Sequence, residues 1–323
     1  MLAVTAADIA RAAERIAPYA RRTPLDLAES FGPAIACKAE HLQRSGSFKF
    51  RGALNRLLAL DDAGRRRGVL TASTGNHGIA MATASRLLEV PLGVMVARGT
   101  DASIVARLRA LGAEVTLVDS TDCVDAEREA RRQADVQGRP FVSPYNDPEV
   151  VAGQGTIAVE LLEQLADIAW EGVDLVTVAV GGGGLIAGIA TWLAEAAPDV
   201  RVIGAQPAAD ATMAASVAAG RIVTLDDVAH TLSHSTAGGV EDDAITFPIC
   251  RDLVAHWERV SEAEITTAVR TMLEGELQLV EGAAGVAFAA ALRMRAAEPD
   301  ARIAVISCGA RLTRAELDQV LAA

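Results

Sequence analysis

Lysine usage points most directly to chemistry in this sequence. Of its 30 lysines and arginines only Lys38 and Lys49 are lysine, so where charge alone is needed the chain uses arginine. A retained lysine can do what a guanidinium cannot, which is lose its proton and attack a carbonyl carbon. Lys49 sits in Ser45-Gly46-Ser47-Phe48-Lys49-Phe50-Arg51-Gly52, flanked by two of the chain's six phenylalanines. Apolar flanks lower an amine's pKa by desolvation and favour its neutral form. A surface lysine at a helix start is the plain alternative, and composition alone does not separate the two.

Three further stretches have types and spacing suited to a ligand. The apolar run 175–180 is followed by Gly181, Gly182, Gly183 and Gly184 and then by a helical pattern. A strand, a glycine loop and a helix N-terminus present bare backbone N–H groups to an anion such as phosphate. Gly182, Gly184 and Ala187 also satisfy a dinucleotide pattern, but the next strand ends at Gln206-Pro207 without the acid that would bind a ribose. A single phosphate is the better fit, with a tight turn as the bland reading. Ser73-Thr74-Gly75-Asn76-His77-Gly78 lies between a strand and a helix, which suits a substrate carboxylate or a plain capping loop. His77 by itself reads more readily as structural than catalytic. The strand Ile303–Ile306 ends in Ser307-Cys308-Gly309, where a hydroxyl could meet a ring nitrogen or simply begin a turn.

The elements that must position these residues alternate. Strands are expected at 68–71, 92–96, Glu114–Val118, 175–180 and 200–205, with helices running to Leu88 and over 103–111 and 185–196. Repeated βα units imply α/β architecture with parallel sheets covered by helices on both faces. Ligands in such folds sit beyond the carboxyl ends of the strands, where all these loops fall.

Composition narrows the partners. A net charge of −12 and a pI near 4.9 argue against nucleic acid or an anionic membrane. The uncharged stretch 175–194 has the length of a span, but four consecutive glycines would break a lipid-exposed helix. The N-terminus carries Asp8 and Arg11 and no signal-like apolar run, so a soluble, cytoplasmic protein is expected. Cys37, Cys123, Cys250 and Cys308 are widely spaced and read as reduced, mostly buried thiols. His230 and His234 lack the glutamate of a zinc motif.

Taken together and in this order, the motifs resemble the fold-type II pyridoxal-phosphate enzymes, specifically the serine/threonine dehydratase and serine racemase group. The resemblance runs from Arg22-Thr23-Pro24-Leu25 to Ser307-Cys308-Gly309. It is carried by Lys38-Ala39-Glu40-His41-Leu42-Gln43, by Gly46-Ser47-Phe48-Lys49-Phe50-Arg51-Gly52-Ala53, by the 73–78 loop and by the four glycines. It implies two α/β domains with parallel-rich sheets, similar to the tryptophan synthase β fold. The larger, 1–67 and 148–323, binds the cofactor; the smaller, 68–147, carries the substrate loop. By position, Lys49 would hold pyridoxal 5′-phosphate as a Schiff base, Phe48 would lie against the ring and Asn76 would bond the ring hydroxyl. The glycines 181–184 would hold the phosphate, and Ser307 would face the pyridine nitrogen. Ser73, Thr74, Gly75 and His77 would grip the substrate carboxylate; related cysteine synthases tend to carry threonine in place of His77.

The resemblance further implies β-elimination from a 3-hydroxy amino acid such as L-threonine or L-serine, with Lys49 taking the α-proton, and a homodimer as the assembly. Five positions, at three places, depart from the group's pattern. Gln206 and Thr212 stand where carboxylates for a divalent metal are expected, so no metal is expected here. Cys308 and Ala310 replace a glycine and an asparagine. Thr74 stands where racemases keep a serine that acts on the second face. The chain also ends before a regulatory domain of the biosynthetic threonine dehydratases could begin.

Other readings remain open at the level of sequence. The 73–78 loop, 151–156 and Val280-Glu281-Gly282-Ala283 look similar to hydroxyectoine-utilisation dehydratases, and 3-hydroxyaspartate, phenylserine or racemisation are neighbouring possibilities. From other classes, a dinucleotide-dependent oxidoreductase explains the glycines but not Lys49, and a non-catalytic binding protein would bind ligand without releasing ammonia.

Overall fold

Short β-branched runs separated by longer helices build two sheets in the computed structural model, which describes residues 2–121 and 123–322. The strands are β1 (Leu25–Leu27), β2 (Ile35–Lys38), β3 (Val69–Ala72), β4 (Leu92–Ala97), β5 (Glu114–Val118), β6 (Leu175–Ala179), β7 (Arg201–Pro207), β8 (His256–Val260) and β9 (Ile303–Ile306). A three-stranded parallel sheet has the order β3-β4-β5, and a six-stranded sheet the order β1-β2-β9-β6-β7-β8. Within the larger sheet only β1 runs antiparallel to its neighbour.

Strand order brings the motifs together. β9 enters between β2 and β6, pairing Ile303 with both Ile35 and Leu175. The segment leading from β2 to Lys49, the turn after β9 and the glycine loop after β6 therefore leave adjacent strands at the same edge.

Two apolar cores underlie the sheets. The larger surrounds the six-stranded sheet and includes the fully buried helix face of Ala287, Phe288 and Ala291. The smaller gathers Val69, Val94 and Ile79 with Phe50, Ala53, Leu54 and Leu57. Those last four recur at helical spacing on Lys49–Leu58, so the helix that begins at Lys49 buries its stripe in the smaller core, against the helix Asn76–Leu88. Its other side meets the helix Pro148–Gln164 at a glycine contact. A Cβ on Gly52 would lie 2.4 Å from the Gln154 amide, and one on Gly153 would lie 2.7 Å from the Arg51 carbonyl. Glycine on both helices lets the backbones touch and fixes where Lys49 starts.

Some element ends differ from the sequence reading. Gly68 has φ +76° and closes the preceding helix Asp62–Arg67 instead of opening β3. β7 extends through Gln206 and Pro207 because those residues pair with Arg259 and Val260 of β8. Cys37, Cys250 and Cys308 are free and buried, and burial pushes the Cys37 and Cys250 thiols up to about 12. The Cys123 side chain lies outside the described residues. Among the described residues, no helix is long and apolar enough to cross a membrane.

Candidate active site

The loops after β3, β6 and β9 and the start of the helix Lys49–Leu58 enclose a cavity of about 250 Å³. Phe48, Lys49, Ser73, Gly75, Asn76, His77 and Gly181 to Gly184 all line it. Lys49 is the first residue of its helix, the end where a positive charge is disfavoured. Its Nζ donates to the Pro144 carbonyl at 3.0 Å. Desolvation lowers its pKa to about 8, against the opposing pull of Cys308 and Glu281, so a neutral amine is accessible near physiological pH.

On the opposite wall, the glycine loop turns into the helix Gly184–Ala196, with Gly183 at φ +85°. The first N–H groups of that helix have no partner within it. A Cβ on Gly182 would lie 2.4 Å from the Tyr145 ring, so only glycine lets Tyr145 close this side of the cavity. In the 73–78 loop, Ser73 Oγ accepts from Gly75 N at 3.1 Å, and the helix Asn76–Leu88 begins directly behind it. Together these present a second helix N-terminus to the cavity.

Three residues sit otherwise than the sequence implies. His77 is buried, and burial together with the Lys49 charge lowers its pKa to about 3. Its Nε2 lies 3.2 Å from the Val142 carbonyl, which only accepts, so the ring's single hydrogen is there. The remaining Nδ1 is a buried acceptor without a partner and cannot donate to a carboxylate. Thr74 is not among the lining residues, and its carbonyl accepts from Arg311 Nη1 at 2.7 Å. Ser307 is also not among the lining residues, while Cys308 is. The Ser307 Oγ is fully buried beside the Cys37 thiol.

Sequence reasoning gave no role to Glu281, though its motif was noted, and missed Pro144, Tyr145 and the 235–239 loop, all of which line the cavity. The loop has no periodicity to find. Glu281 did carry a signal, as an acid set in an apolar stretch directly ahead of a small-residue helix.

Gln206 and Asp210 are committed to the protein itself. Gln206 Nε2 donates to the Val180 carbonyl at 3.1 Å, and its Oε1 accepts from Ala214 N at 2.8 Å. Asp210 accepts from Gly238 N and from Thr212 Oγ1, each at 2.7 Å. A hard cation would find one carboxylate here, already bonded. Chelator and added Mg²⁺ are therefore expected to leave activity unchanged. A several-fold loss with chelator, restored by Mg²⁺, would show that other groups bind a cation.

Comparison with known proteins bears directly on this constellation. The family of pyridoxal-phosphate dependent enzymes matches residues 16–309. The chain belongs to that family. It is 39% identical to an L-threonine ammonia-lyase of Geobacter sulfurreducens, over 94% of this chain and 75% of that one. It is 34% identical to an L-threo-3-hydroxyaspartate ammonia-lyase of a Pseudomonas species, over 94% and 93% of the two chains. The solved structure of maize serine racemase superposes with a TM-score of 0.89 at 31% identity, covering 99% of this chain and 97% of that one. The architecture is thus fold-type II, the cofactor is pyridoxal 5′-phosphate and the protein is an enzyme of the ammonia-lyase type. The residues fit the cofactor. The cavity offers an amine of lowered pKa and helix N-terminal N–H groups for a phosphate.

Proposed function

We propose that the enzyme eliminates the β-hydroxyl of a 3-hydroxy amino acid such as L-threonine or L-serine, giving a 2-oxo acid and ammonia, as a cytoplasmic homodimer. The observation that carries this reading is the position of Lys49, with its Nζ in the cavity between the glycine loop and the 73–78 loop. When bound, pyridoxal phosphate supplies an aldehyde that condenses with amines and a ring that delocalises the electron pair left at the α-carbon. The chain's own groups do the rest. The N–H groups at the start of Gly184–Ala196 hold the phosphate, and those at the start of Asn76–Leu88 hold the substrate carboxylate. Lys49 would anchor the cofactor through Nζ, and the same Nζ, when free, would take the α-proton. The 235–239 loop lines the same cavity. The reading is tested by assaying 2-oxo acid and ammonia across a panel of 3-hydroxy amino acids that includes 3-hydroxyaspartate and phenylserine. Absence of ammonia from every member would overturn it.

Elimination is expected to dominate racemisation. Racemisation needs a proton donor on the face opposite Lys49. Thr74 stands between the lining residues Ser73 and Gly75 with its carbonyl bonded to Arg311, and its branched side chain has restricted χ1 where a serine can turn. Native enzyme given L-serine should form pyruvate without D-serine, and Thr74→Ser should raise D-serine relative to pyruvate. Substantial D-serine from the native enzyme would refute this.

A further inference from the structure

Glu281 is 2% exposed and lines the cavity, and neither the family motifs nor the reaction scheme above gives it a role. It precedes the helix Gly282–Ala297 as the N-cap residue, yet its side chain makes no cap hydrogen bond. The carboxylate turns instead toward the smaller sheet's substrate loop. Its two oxygens accept from Asn76 Nδ2 at 2.9 and 2.8 Å. Ser235 Oγ donates to Oε1 at 2.7 Å, and Arg311 N donates to Oε2 at 3.1 Å. One buried acid thus joins the 73–78 loop, the 235–239 loop and the turn after β9.

The contact with Asn76 has a directional consequence. The two ends of a side-chain amide are nearly alike in shape, so packing alone does not choose between them. A carboxylate only accepts, and it therefore requires the nitrogen end. The two oxygens of one carboxylate are too close together for both amide hydrogens to reach them from a single nitrogen. One N–H lies between them, and the other is left free on a residue that lines the cavity.

We propose that Glu281 is a positioning residue for the cofactor, whose carboxylate holds the Asn76 amide nitrogen-first so that its second N–H meets the hydroxyl of the pyridoxal ring. The proposal rests on the reading of Asn76 as the partner of that hydroxyl, and it does not depend on which amino acid is the substrate. With Glu281→Gln the surrounding donors remain, but the new amide has one accepting oxygen. That oxygen pairs with the fixed Arg311 N–H, and the new NH₂ group confronts Asn76. The Asn76 amide then turns over and sets its oxygen against the ring oxygen.

The test uses the holoenzyme and its apoprotein, without turnover. Affinity for pyridoxal 5′-phosphate and the pH dependence of the bound cofactor's visible band are measured for native protein, Glu281→Gln, Asn76→Ala and the double variant. Each single change should weaken cofactor binding by about tenfold, the size of one charge-assisted hydrogen bond, and shift the visible band in the same sense. The double variant should bind no more weakly than Asn76→Ala, because Glu281 acts through Asn76. Losses that multiply in the double variant, or a Glu281→Gln band identical to the native one, would overturn the proposal. Should Glu281→Gln fail to fold, Glu281→Asp takes its place, retaining the charge at shorter reach, and the same coupling with Asn76→Ala decides. A protein that releases no ammonia from any 3-hydroxy amino acid would sink the dehydratase reading and leave this test standing.

Discussion

Lys49→Ala is expected to fold and to release neither 2-oxo acid nor ammonia. Loss of the general base alone accounts for about 10²–10⁴-fold, and loss of the covalent anchor adds to it. Lys49→Arg should do no better, since a guanidinium stays protonated and cannot condense with an aldehyde. The chain offers one other lysine, and the structure separates the two. Lys38 Nζ donates to the Thr23 carbonyl at 2.7 Å, to Glu160 at 2.8 Å and to Gln164 at 2.7 Å. All three ammonium hydrogens are committed, and no lone pair is free to attack. Borohydride treatment of the holoenzyme should bleach the visible band and leave the reduced cofactor on the Lys49 peptide. Finding it on Lys38 would defeat the assignment. The acid–base position of Lys49 adds a kinetic signature. Its pKa is lowered to about 8, and only the neutral amine attacks, so uptake of cofactor by the apoprotein should quicken as pH rises toward 8 and level off above it. A rate flat from pH 6 to 9 would contradict a titrating amine.

Arg51→Leu should destabilise the fold by about 3–5 kcal/mol, the cost of leaving a buried charge without its partner. The Arg51 side chain is 1% exposed and that of Glu40 is 0% exposed. The guanidinium meets Glu40 through Nε and Nη2, both at 2.8 Å, and meets Glu160 at 2.7 and 2.8 Å. Lys38 joins the same Glu160, so two cations and two anions close a neutral set between β2 and the helices Lys49–Leu58 and Pro148–Gln164. Burial works against the Arg51 charge, but the two carboxylates more than offset it and hold its pKa above the ordinary value. Leucine removes the guanidinium and leaves the buried Glu40 charge with the Thr23 hydroxyl as its remaining donor. Urea unfolding measures the change as a lowered midpoint at unchanged slope. The exposed pair of Arg314 and Asp318 is the control, since breaking it should cost under about 1 kcal/mol. A loss that small for Arg51→Leu would mean that water or Arg21 compensates Glu40.

Much of this site was readable from residue types because its chemistry constrains them. Lys49 stood out in a chain that otherwise uses arginine, and the four glycines marked a backbone that Tyr145 must approach closely. The βα alternation followed from periodicity, which local burial enforces. Other features depend on contacts between distant segments. The entry of β9 between β2 and β6 is invisible in any one strand, and β7 runs through Gln206 and Pro207 only because β8 pairs with them. His77 reads as a possible anion contact in isolation, but its burial and the Val142 carbonyl fix its charge and its hydrogen. Thr74 and Ser307 follow their motifs in sequence, yet neither is among the residues that line the cavity. Glu281 reaches Asn76 from more than half the chain away, and no local pattern encodes that meeting.

The place of β9 also sets a timetable for synthesis. Ile303 pairs with Ile35 and Leu175, so on the ribosome β2 and β6 must wait with open flanks while nearly the whole chain is made. Such late closure over long sequence separation is slow, and unpaired edges are where nascent chains associate wrongly. The smaller sheet has no such delay, because β3, β4 and β5 follow one another directly. A growing chain can thus shape its substrate loop early, while the seat of the cofactor is completed only with β9.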